Sequence, residues 1–135
     1  MNNNNSSIPD FCQGIQYFGE KWSDFDKYAA QAVIAEGQNA ITSSNDDNCV
    51  YQTLLAADAL RYLTLQLTAS KGSGHPGGYA SSAEAHASLM MLGHTNIVTE
   101  VGHHAPGYYS SMFLDSSLQE MGIHNMDDMM QRFRE

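Results

Sequence analysis

The sequence predicts a chain of the α/β class that is mostly helical, with one or few parallel strands. Three observations carry this expectation. Apolar residues recur at helical spacing through most of the chain. One short run, Ile97 to Val101, is apolar and partly β-branched, the composition of a buried strand. Two glycine- and histidine-containing stretches, Lys71 to Ser82 and Gly102 to Gly107, interrupt the helical pattern on either side of that run.

From the N-terminus, Met1 to Ser7 is polar and lacks both the basic start and the apolar middle of a secretory leader. Residues 1–22 read as a poorly ordered tail, with a short amphipathic turn at Phe11, Ile15 and Phe18; Trp22 has no assigned role. Ser23 suits a helix N-cap, and Phe25, Tyr28, Ala29, Ala32, Val33 and Ile41 follow at helical spacing. Gly37 weakens that helix without ending it. Thr42 to Asn48 is polar and reads as a linker.

Val50 to Ser70 is the strongest periodic segment, with Leu54, Leu55, Ala59, Tyr62, Leu63 and Leu67 on one helical face. Within it, Tyr62 to Thr68 also alternates with the two-residue period of a strand. A helix is expected over Ala83 to Leu92, stopped by Gly93. Another is expected from Tyr108 to about Met121, and a last amphipathic piece begins at Asn125 or Asp127. A single strand leaves its backbone groups without partners. That, with the helical pattern still running at Glu135, suggests that residues 23–135 are an incomplete N-terminal part of a larger domain.

Composition narrows the function. Six basic against fifteen acidic residues give a net charge of −9, which disfavours nucleic acid and anionic membrane as partners. No apolar run approaches the roughly 20 residues that span a bilayer, and a cytoplasmic location follows by default. Cys12 and Cys49 are too few and too far apart for a zinc pattern and read as ordinary, buried thiols.

The two glycine and histidine stretches admit three readings. Gly72-Ser73-Gly74-His75-Pro76-Gly77 fits the dinucleotide pattern G-x-G-x-x-G, with Glu100 as a ribose carboxylate if Tyr62 to Thr68 were a strand. Pro76 argues against it, since it falls where a helix N-terminus should offer N–H groups. A metal site from His75, His94, His103 and His104 is a second reading, although their spacing is not that of a zinc site.

The third reading is a resemblance. Gly74-His75-Pro76-Gly77-Gly78, with a helix before and a small-residue helix after, looks like the S-G-H-P-G motif of the transketolase family. Gly102-His103 resembles the G-H that follows that family's first strand, and Ala105-Pro106-Gly107-Tyr108-Tyr109 is similar to homodimeric pyruvate dehydrogenase E1 components. The resemblance covers about Leu55 to Glu135.

The resemblance implies a thiamine-diphosphate-binding domain of an enzyme that transfers a two-carbon ketol group between sugar phosphates. Decarboxylating 2-oxo-acid chemistry of the E1 kind is the neighbouring possibility, and a non-catalytic structural role is the third. It implies that His75 is catalytic, near the substrate carbonyl, and that His103 contacts the cofactor's diphosphate, with Gly102, Gly74 and Gly77 letting backbone approach it. It also implies Mg2+ or Ca2+ with the cofactor, held by residues outside this chain, since the family's G-D-G metal motif does not occur here. A sugar-phosphate substrate and a homo-oligomer, or the remainder of the enzyme, are the implied partners. His86, His94 and His124 are expected to be helix-face or helix-end residues without chemistry, and the methionines to be flexible core filler.

Overall fold

The computed structural model describes residues 24–42, 49–94 and 96–133. Phe11, Ile15, Phe18 and Trp22, the side chains of Phe25, Tyr28 and Ala29, and most of the linker lie outside them. The described chain is mostly helical. Helix α1 spans Asp24–Thr42, α2 Cys49–Ser70, α3 Pro76–Ala80, α4 Ala83–Met91, α5 Ala105–Leu114 and α6 Met126–Arg132. Single 3-10 segments at Gly102–His104 and Ser117–Met121 flank α5.

Helix α2 is the centre, and every other helix packs on it. Its buried residues are Ala56, Ala57, Ala59, Leu60, Leu63, Thr64, Leu67 and Thr68. That set is too wide for one face, because α2 is covered from several sides. Burying Leu60, Leu63 and Leu67 favours the folded state by about 1.5–3 kcal/mol each. The small residues set the approach of the neighbours. A β-carbon on Gly37 would come within 2.4 Å of the Ala59 Cβ, so glycine is what lets α1 lie this close to α2. The hydroxyls inside are satisfied: Ser110 Oγ donates to the Pro106 carbonyl at 2.8 Å. Its proton being used there, Thr64 Oγ1 donates to Ser110 Oγ at 3.3 Å and ties α2 to α5.

The helix stops are local chemistry. At the end of α4, Gly93 has φ +79°, its N–H reaches the Met90 carbonyl and the His94 N–H reaches that of Leu89. This is the Schellman arrangement, which needs a left-handed residue. Gly72 (φ +58°) closes α2 in the same way, through Gly72 and Ser73 bonding the carbonyls of Ala69 and Thr68. At the other polarity, Asn125 Oδ1 accepts the Asp128 N–H and Asp128 Oδ2 accepts the His124 N–H, which opens α6.

Several expectations are corrected. Among the described residues there is no strand. Ile97–Val101 is an irregular segment whose Val98 is 92% exposed, since no described segment pairs with it. Tyr62 to Thr68 lies inside α2, which removes the strand the dinucleotide reading requires. The glycine-rich stretch is less of a loop than expected, because Pro76 starts a helix with its fixed φ. Helix α5 begins at Ala105 and ends at Leu114, earlier at both ends than expected. Cys49 is exposed rather than buried, and so are Leu54 and Ala32. No described helix is long and apolar enough to cross a membrane.

Candidate functional site

The site is assembled where the short helix α3 meets the 3-10 turn Gly102–His104. His75 is the residue before α3, and it follows Gly74, whose φ of +136° only glycine adopts without strain. His103 sits in the 3-10 turn that leads into α5. Their ring centroids are 4.8 Å apart, with the planes inclined at 61°. Both residues are exposed, and β-carbons on Gly77 and Gly102 would meet nothing within 4 Å. Two imidazoles therefore border open space, with bare backbone beside each.

Beneath this pair lies a polar layer. The Tyr79 ring is edge-on to His104 at 5.9 Å and to His86 at 5.5 Å. Tyr79 Oη and His86 Nδ1 are 2.7 Å apart. The Tyr79 hydroxyl has no other hydrogen-bond partner among the described residues, so its proton goes to Nδ1 and the His86 proton sits on Nε2. Burial pushes the Tyr79 phenol well above the usual tyrosine range, and the neighbouring Tyr108 adds to the shift. Burial also holds His86 below the usual imidazole range, with His104 contributing repulsion. Tyr79 stays protonated and His86 neutral, which is the pairing the bond needs.

Arg61 anchors α3 from below. Its Nε donates to the Ala80 carbonyl at 3.0 Å, Nη1 to Asp58 Oδ1 at 3.1 Å, and Nη2 to Glu84 Oε1. One guanidinium thus joins α2, α3 and α4. Lys71 Nζ donates to the Gln131 carbonyl at 3.1 Å and fastens α6 to the stretch that precedes His75.

The residues expected from sequence separate cleanly. His75 and His103 come together with Gly74, Gly77 and Gly102 around them. His94 and Glu100 are exposed, and no group of three or more histidine, cysteine or acidic side chains is arranged to hold a metal among the described residues. His104, given no role, is half-buried, and its Nε2 would lie 3.4 Å from a β-carbon on Gly78. Tyr79 and Arg61 are site residues to which the sequence assigns no role. A tyrosine seven residues before a histidine is the available hint, two helical turns apart if the helix ran straight. Comparison with family models, with curated proteins and with solved structures returns no match.

Proposed function

We propose that this chain is the N-terminal part of a thiamine-diphosphate-binding domain in a transketolase-type enzyme. The contact between His75 and His103, 28 positions apart in the sequence, is the observation that carries the reading. A diphosphate requires donors and room. The exposed imidazoles, with open space over Gly77 and Gly102, fit that requirement in a chain whose overall charge is −9. His103, with the backbone around Gly102, Gly74 and Gly77, would hold the diphosphate. His75 would face the substrate carbonyl, donating from one ring nitrogen to the oxygen on which charge develops. Thiamine diphosphate, with Mg2+ or Ca2+ held by other residues, would supply the electron-withdrawing thiazolium that carbanion chemistry needs. The Tyr79–His86 bond and the Arg61 fork keep α3, and with it His75, in register with the 3-10 turn.

Transfer of a two-carbon ketol group between sugar phosphates is the reaction this reading assigns. A 2-oxo-acid reaction of the E1 kind is the second reading. It is supported by the likeness of Ala105-Pro106-Gly107-Tyr108-Tyr109 to homodimeric E1 components.

The test is histidine-detected NMR of the chain titrated with thiamine diphosphate and Mg2+. The ring signals of His103 and His75 should shift at millimolar ligand, and His103→Ala should weaken binding more than His75→Ala does. Unmoved signals for both rings would remove the reading, and equal effects of the two substitutions would remove the division of roles.

A further inference from the structure

One cavity is lined by neither His75 nor His103. It measures about 420 Å³ and lies between α4, the segment after it and α5. Its walls include Met90, Ile97, Tyr108, Met112 and Asp115, and the buried His86. His86 is only 8% exposed, yet just one of its ring nitrogens is used. Tyr79 occupies Nδ1, so Nε2 carries the proton and has no partner among the described residues. The nitrogen is not itself enclosed, so an acceptor from outside the protein can reach it. Nearby, the Tyr108 hydroxyl oxygen is enclosed without a partner.

The walls decide what such a donor would take. An acceptor oxygen is needed for the His86 Nε2–H. Met90, Ile97 and Met112 ask for an apolar body, and the two methionines adapt to its outline. Asp115 stands in the wall of a chain with net charge −9, which disfavours an anion. We propose that this cavity binds a compact, neutral molecule bearing a carbonyl or amide oxygen, which His86 Nε2–H recognises while the methionine wall covers its apolar part. The inference is independent of the thiamine reading, since it uses none of the residues assigned to the diphosphate.

Benzamide is a suitable probe and benzoate its charged match. The chain, labelled at the methionine methyls and histidine rings, is titrated with each and followed by NMR. Benzamide should move His86 Nε2–H and the Met90 and Met112 methyls together and saturably, with a dissociation constant in the millimolar range expected for so small a ligand. Benzoate should bind at least about fivefold more weakly, a difference near 1 kcal/mol in the affinity relation. Val98→Trp at the exposed side of the cavity, or Met112→Trp within it, should weaken benzamide about tenfold while far-UV dichroism stays unchanged. Non-saturating shifts, or unchanged affinity in both tryptophan variants, would overturn the site. Benzoate binding as tightly as benzamide would overturn its assignment to neutral carbonyls.

Discussion

Tyr79 and Gly107 share one volume: a β-carbon at position 107 would lie 2.0 Å from the Tyr79 ring. The 3-10 turn and the start of α5 can approach α3 only because residue 107 has no side chain. The same approach brings His104 to the Tyr79 edge and His103 to His75.

Gly107→Ala should therefore destabilise the chain by about 2 kcal/mol, within the usual range for overpacking. Tyr79→Leu in the same chain should recover part of the loss, by giving up the ring that clashes. Urea unfolding of the two single variants and the double variant measures the coupling. Additive losses would mean that the contact does not govern the packing.

Tyr79→Phe keeps the ring and removes the proton that His86 Nδ1 accepts. A loss of about 1–2 kcal/mol is expected, since a buried acceptor is left bare. The ring nitrogen shifts of His86 should also show the tautomer preference weakened. An unchanged tautomer would show that something other than Tyr79 orients the ring.

Stability should depend on pH through His86. Its proton affinity is lower folded than unfolded, owing to burial first and His104 second. Between the folded and unfolded values the unfolded chain binds more protons, so stability rises with pH. It should begin to fall as pH drops through the ordinary imidazole value of about 6.5, and continue falling toward the lower folded value. Urea midpoints between about pH 7.5 and 5.5 should slope less in His86→Gln than in the parent chain. Identical slopes would assign the dependence to other groups.

Arg61→Lys tests the anchor under α3. Lysine offers one compact ammonium in place of the fork that reaches Ala80, Asp58 and Glu84. The Glu84 side chain is 45% exposed, so solvent screening limits the ion pair, and most of the expected loss of about 1 kcal/mol is the bond to Ala80. Arg61 holds the Glu84 carboxyl below the usual carboxylate range, chiefly by hydrogen bonding. That contribution is present above the ordinary carboxylate value and fades as pH falls below it, under the His86 window. An Arg61→Lys variant as stable as the parent at neutral pH would remove the anchor from the account.

What is legible in the residues is mainly local. Alanine and leucine periodicity locates α2, Gly93 marks the end of α4, and Asn125 marks the start of α6. Ile97–Val101 misleads because β-branching describes a residue's preference, while a strand also needs a neighbour to bond. Tyr62–Thr68 alternates because α2 is covered on several sides, which blurs the helical rhythm. The meeting of His75 with His103 is expected from a resemblance rather than from spacing. The Tyr79–His86 bond depends on how α3 and α4 turn at Ser81 and Ser82, which no pattern in the chain announces.

Helix α2 also has a kinetic meaning. Helices α1, α3 and α4 adjoin it in the chain, α5 and α6 return to it from farther along, and there is no sheet to register among the described residues. Such a topology favours rapid collapse around a single central rod. Substitutions at Leu60 or Leu63 should then slow refolding, whereas changes at the imidazole pair should mainly hasten unfolding. The surface around the imidazole pair would be the last part to settle and the first to loosen.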